Sequence, residues 1–197
     1  MISKTIINDD ITIYDNVLNW EAQYTLHEIC KNAYYKIGWS DTPNNKENFM
    51  HSAIDGKRWI DYFDTNKPVD LSHPQLRTID ILNNSQPFRD LAYDLNYKNG
   101  VSKTVINCDT ISDSHYQHNH IGDIVILYYT NLEWKDGWGG ETKFYDQYGK
   151  NIIYTSPYTP NRMIVFDGKV VHSFNPPSCA ASKYRFSMST FINKPRD

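Results

Sequence analysis

A chain of 197 residues is long enough for one well-buried core and short for two. Hydrophobic residues make up 40%, charged residues 22% and aromatic residues 14%, a balance that favours strands and an aromatic-lined cavity over a helical bundle. The net charge of -3 leaves no basic footprint, so a nucleic-acid partner is not suggested.

Met1 to Asn16 holds several acids and no apolar core, unlike a signal peptide. Ile11-Thr12-Ile13-Tyr14 alternates like an opening strand. Asn19 can cap a helix in which Ala22, Leu26, Ile29, Cys30 and Ala33 recur at helical spacing. Asp41 to Lys57, rich in Asn, Asp and Lys, reads as a surface excursion. Further helices are expected around His73 to Asn83, and from Pro87, a good first-turn residue, to Asn96.

After Val101 the pattern changes. Short β-branched and aromatic runs succeed one another: Lys103 to Cys108, Ile124 to Tyr129, Thr142 to Tyr145, Ile152 to Tyr154, Met163 to Phe166, Lys169 to Val171 and Tyr184 to Phe191. Turn signals such as Asp136-Gly137, Gly139-Gly140, Pro160-Asn161 and Asp167-Gly168 divide them. Strands at this spacing predict a sandwich or barrel rather than βαβ units. The expected fold is therefore β-rich α+β, a double-stranded β-helix (jelly roll, cupin-like) with N-terminal helices packed on one sheet. It forms a single domain over 1–197, with a mainly helical front part at 1–100 and the jelly-roll core at 101–197.

The longest apolar run, Ile124 to Tyr129, is far too short to span a membrane. Cys30, Cys108 and Cys179 form no CxxC pair, so buried free thiols in a reducing compartment are expected. The chain reads as a soluble cytoplasmic protein of open oligomeric state.

Four of the seven histidines fall in the strand-rich half: His115, His118, His120 and His172. If the triplet His118-Asn119-His120 is extended, both imidazoles share one face and Asn119 takes the other. Two side chains so placed can reach one metal ion. A third ligand from a distant strand would close a facial set with positions left open. His172 is the candidate for that third place.

From His118 to Phe191 the chain resembles the 2-oxoglutarate- and iron(II)-dependent oxygenases, in particular their prolyl-4-hydroxylase-like branch. That branch reads His-x-Asp, a strand ending Tyr-Leu-Asn, Trp, Gly-Gly-Glu, a Pro-Gly-Arg-apolar-Phe strand, a distal His, and Arg-x-Ser on the last strand. Here the pieces are His118-Asn119-His120, Tyr128-Tyr129-Thr130-Asn131, Trp134, Gly139-Gly140-Glu141-Thr142, Pro160-Asn161-Arg162-Met163-Ile164-Val165-Phe166, His172 and Arg185-Phe186-Ser187. The similarity lies in their order and spacing, over about the last two-fifths of the chain.

The resemblance implies iron(II) as cofactor, 2-oxoglutarate as cosubstrate and hydroxylation of a small-molecule or peptidyl substrate. Arg185 would pair with the far carboxylate of 2-oxoglutarate. Ser187, two residues on, and Tyr129 would contact that same carboxylate. The sequence departs from the pattern at one ligand, with His120 where the branch has a carboxylate. Asp123 lies three residues from His120, on the wrong face of a strand, so a three-histidine site is expected. Three imidazoles suit iron(II), and also zinc, nickel or copper. Two other readings stand beside this one: a cupin-like three-histidine dioxygenase that does not use 2-oxoglutarate, and a catalytically inactive jelly-roll binding module. Asp41 to Lys57 and Asn175 to Lys183 are the candidate substrate lids.

Overall fold

The computed structural model describes residues 1–42, 45–64, 66, 68–95, 101–113 and 116–194. Strands β1 (Ser3–Asn8) and β2 (Ile11–Asp15) open the chain as an antiparallel pair. Helix α1 (Trp20–Lys31) starts where Asn19 accepts a hydrogen bond from the Ala22 N–H at 2.9 Å, meeting one of the unpaired donors of the first turn. Its Leu26 and Cys30 are buried, as their spacing predicts.

The supposed excursion at Asp41 to Lys57 is largely strand. β3 (Lys36–Thr42) and β4 (Asn45–Asp55) pair antiparallel and extend a sheet, and residues 43 and 44 lie outside the described ones. Its polar composition hides the pairing, since Asn and Lys carry no strand signal. Helix α2 (Gly56–Phe63), unforeseen, follows at once, with the Asp55 carboxylate accepting from Arg58 N–H at 3.0 Å. Helices α3 (Pro74–Asn83) and α4 (Gln86–Leu95) stand where the two expected helices were read.

The second half supplies β5 (Val101–Asp109), β6 (Asp123–Tyr129), β7 (Thr142–Tyr145), β8 (Ile152–Ser156), β9 (Arg162–Asp167), β10 (His172–Phe174) and β11 (Arg185–Asn193). One eight-stranded sheet runs β1-β2-β9-β6-β11-β5-β4-β3 and a three-stranded sheet runs β10-β7-β8. The jelly roll is thus present, with its two sheets unequal. Lys169 to Val171 is a turn and not a strand, so His172 opens β10 rather than following a strand.

The larger sheet buries both faces, by alternation along each strand. On β6, Ile126 and Tyr128 pack toward the helices, with Leu26, Trp59, Ile79 and Phe88. Val125, Leu127 and Tyr129 pack the other way, toward Phe144 of the smaller sheet. Trp59 stacks on Phe88 at 6.0 Å and its indole N–H donates to Thr104 Oγ1 at 3.2 Å, so α2 is held to α4 by stacked rings and to β5 by a hydrogen bond. Burial raises the thiols of Cys30 and Cys108 to about 12, but Cys179, expected to be buried, is exposed on the β10–β11 connection. Among the described residues no helix is long and apolar enough to cross a membrane.

Candidate metal centre

His118 and His120 do not belong to a regular strand. They are held by the segment that carries the third histidine. His118 and His172 form an isolated antiparallel bridge, with N–H to carbonyl bonds of 3.0 and 2.9 Å in the two directions. The N–H of His120 donates to Gly168 O at 2.6 Å. A side chain on Gly168 would collide with the His120 carbonyl oxygen and stand 2.7 Å from that of Asp123. Glycine is the residue that lets these backbones meet.

The rings converge as the alternation requires. Centroids of His118, His120 and His172 stand 4.8, 4.4 and 5.2 Å apart, and one ligand atom from each lies within 4.8 Å of the others. Asn119 is exposed on the opposite side. His118 Nδ1 lies 3.0 Å from Tyr116 O, and His172 Nδ1 lies 3.0 Å from Val170 O. Each carbonyl holds the proton on Nδ1, which makes Nε2 the nitrogen whose lone pair can serve a metal. Phe166 and Phe191 brace His172 and His120 at 4.8 and 4.7 Å. Among the described residues no carboxylate joins the cluster. His115 lies outside the described residues.

The same cavity includes Arg185 and Ser187. Arg185, Ser187, Ser189 and Phe191 succeed one another along the inner face of β11, which therefore runs from the guanidinium to the imidazoles. Arg185 is 2% exposed. Its Nε donates to Gly140 O at 2.8 Å, Nη1 to Asp109 Oδ2 at 2.7 Å and to Ser187 Oγ at 3.1 Å, and Nη2 to Thr142 Oγ1 at 3.4 Å. The guanidinium lies over the rings of Tyr129, Tyr158 and Phe174 at 5.4, 5.2 and 4.7 Å. Gly140, at φ +82, makes room: a side chain there would reach within 3.2 Å of Arg185 Cδ and of the Trp134 ring.

Tyr129 is next to Arg185, but its hydroxyl donates to Thr142 Oγ1 at 2.8 Å, and it is Thr142 that lines the cavity. Arg162 forms a two-pronged pair with Asp15, at 2.7 and 3.0 Å, and ties β9 to β2. Asp113 is buried and accepts from Thr110 N–H at 2.5 Å, which closes its own turn. Sequence reading missed Asp109, Asn107 and Thr142. Asn107 pairs with Ser187 across β5 and β11, lines the cavity, and keeps a buried Oδ1 with no hydrogen-bond partner. Thr142 ends the Gly139-Gly140-Glu141-Thr142 piece, which gave it no role; Asp109 and Asn107 carry no local motif, and only strand pairing reveals them.

Residues 97–193 match the model of the 2OG-Fe(II) oxygenase superfamily. Those residues carry that family's domain. Solved structures of the same fold include a prolyl hydroxylase from Trichoplax adhaerens, in complex with a hypoxia inducible factor oxygen degradation domain peptide fragment. It is 16% identical, with a TM-score of 0.65, and the match covers 95% of this chain and 84% of that one. A prolyl-4-hydroxylase from Pseudomonas putida is 14% identical at TM-score 0.58, covering 95% and 94%. A 2OG-Fe(II) oxygenase family oxidoreductase from Burkholderia pseudomallei is 13% identical at TM-score 0.61, covering 95% and 86%. No curated protein matches the chain. The oxygenase family uses iron(II) with 2-oxoglutarate, and the donor set here suits that ion: three imidazoles, two of them with Nδ1 turned to a backbone carbonyl.

Proposed function

We propose that His118, His120 and His172 hold the iron of this oxygenase and that Arg185, with Ser187 beside it, receives the far carboxylate of 2-oxoglutarate. The observation that carries this reading is the single cavity shared by the three imidazoles and one buried arginine. When bound, iron and 2-oxoglutarate supply an oxidation of substrate coupled to decarboxylation of the cosubstrate. The chain's residues bind and orient. The Arg185 fork fixes one end of the cosubstrate, Tyr129 holds Thr142 beside that fork, and Phe166 and Phe191 keep water from the imidazoles.

Residues 1–197 act in this proposal as one oxygenase domain. The peptide held by the Trichoplax adhaerens enzyme supports a peptidyl substrate as the first class to try, ahead of a small molecule. The loop 175–183, anchored where Ser178 N–H donates to Trp138 O at 2.7 Å, is the candidate lid. Three free cysteines, one of them exposed, suit the reducing cytoplasm.

The test is metal analysis with an anaerobic titration of iron(II) and 2-oxoglutarate. A visible charge-transfer band and one iron per chain are expected. His118→Ala and His172→Ala should abolish iron retention, while His120→Asp should keep it by supplying a carboxylate. If His120→Ala left iron affinity unchanged, the three-histidine assignment would be wrong. Failure of the parent protein to retain iron or give the band would remove the whole reading.

A further inference from the structure

Arg185 already has a carboxylate. Asp109 Oδ2 accepts from its Nη1 at 2.7 Å, the two side chains are 2% and 0% exposed, and Asp109 Oδ1 has no hydrogen-bond partner. Nε is engaged by Gly140 and Nη1 is shared with Ser187, so Nη2, 3.4 Å from Thr142 Oγ1, is the least engaged part of the fork. Arg185 and Asp109 together are a neutral pair. Seating the far carboxylate of 2-oxoglutarate on Nη2 would put two carboxylates on one cation away from water. Two like charges so placed do not both stay ionised.

Among the described residues, these groups act on Asp109. Arg185 faces it from β11, Asp113 approaches from the turn after β5, Cys108 precedes it on its own strand, and Tyr35 lies within range after α1. Among these described groups Arg185 is the one cation. The cavity's other cation, Lys103, lies 5.0 Å from the Phe191 ring, toward the opposite end of β11.

We propose that binding of 2-oxoglutarate places one proton on Asp109, so that Arg185 exchanges its internal carboxylate for the incoming one. Asp109 is the group suited to take that proton. Burial, partly offset by Arg185, already raises its carboxyl to about 6. Its unpartnered Oδ1 is a free place for the hydrogen. Asp109 is then a positioning residue that makes cosubstrate affinity depend on pH. This rests on the reading that Arg185 receives the far carboxylate.

The experiment is anaerobic calorimetry on the iron(II)-loaded protein, in buffers of different ionisation enthalpy, with two ligands. One is 2-oxoglutarate and the other is 2-oxopentanoate, whose far end is a neutral methyl group. Both chelate the metal alike, so their difference isolates the distal end. The parent protein should take up one more proton with 2-oxoglutarate than with 2-oxopentanoate above neutral pH. Its 2-oxoglutarate affinity should fall about tenfold per pH unit there. Asp109→Asn should lose both the extra proton and the pH dependence. If Asp109→Asn does not fold, the two-ligand comparison on the parent protein decides alone. Equal proton uptake for the two ligands, or an extra proton retained by Asp109→Asn, overturns the exchange while the visible chelate band leaves the enzyme reading standing. Absence of any 2-oxoglutarate binding overturns both.

Discussion

At the scale of the residue, the described part of the histidine cluster holds no acid, while a buried acid sits at the arginine. The family pattern that the sequence resembles has a carboxylate two residues after the first histidine, and here His120 stands there. A buried acid stands instead at the arginine, where Asp109 meets Arg185. This has a consequence for stability as well as for binding. Burial lifts the Asp109 carboxyl from 3.8 to about 6. Between those values the folded protein holds a proton that the unfolded chain has released. The contribution of this group to stability is therefore full below about pH 4 and is lost as pH rises through about 6. Asp146 and Asp167, held below the ordinary carboxylate value in the folded state by hydrogen bonds and, for Asp167, by Lys194 and Lys169, work in the opposite sense at lower pH. Comparison with Asp109→Asn cancels them. Denaturant melts of the two proteins from pH 4 to pH 8 should show the parent losing stability relative to the variant up to about pH 6, then running parallel. A flat difference across the range would place the Asp109 carboxyl at its ordinary value.

At the scale of the element, the turn at Gly168 joins the two parts of the metal site. It lies between β9 and β10, and its carbonyl accepts from His120 N–H, so it sets the depth of the His118–His120 segment against His172. Gly168→Ala forces a methyl group into the carbonyl oxygens of His120 and Asp123, both backbone atoms that cannot rotate aside. Overpacking of this kind costs about 1–3 kcal/mol, which at this chain length lowers the melting temperature by roughly 2–4 °C per kcal/mol. The expected signature is a fall in iron affinity larger than this loss of stability alone accounts for, measured by competition with a chelator on protein that is still folded. Gly168→Ala with parent-like iron affinity would show that the turn does not set the site. The Asp167-Gly168 turn was legible in the sequence, as were α1, α3, α4 and, apart from β10, the strands from β5 onward, because most of them alternate or repeat against a buried face; β10 was read three residues early, over what is a turn. β1 was not, since Ser3–Asn8 is an edge strand exposed along nearly all its length and has no inside to encode. β4 was masked by polar composition, and α2 by its eight-residue length. The histidines and Arg185 were legible through order and spacing. Asp109 was not, because a lone acid at a strand end becomes a partner only once β5 pairs with β11.

At the scale of the whole molecule, the eight-stranded sheet separates two cores with different duties. The helix-side core, built on Trp59, Phe88, Ile79 and Leu26, contains no residue of the histidine cluster. The core between the sheets contains Phe166 and Phe144, whose rings stand 4.8 and 6.3 Å from that of His172. Equal injuries to the two cores should therefore have unequal effects on the site. Trp59→Ala and Phe166→Ala each remove a fully buried aromatic side chain, and each is expected to cost about 3–5 kcal/mol. For Trp59→Ala, calorimetric melts should record the loss, yet protein kept cold enough to stay folded should bind iron and 2-oxoglutarate as the parent does. For Phe166→Ala the comparable loss should come with weakened iron binding, because a cavity opened beside His172 frees its ring from the orientation that Val170 O and Phe166 impose together. A Phe166→Leu variant, which keeps most of the volume, should recover more of the stability than of the iron affinity if ring orientation rather than bulk is what the phenylalanine supplies. Equal iron affinity in the Trp59 and Phe166 variants at matched folded fraction would show that the sheet does not divide the molecule in this way.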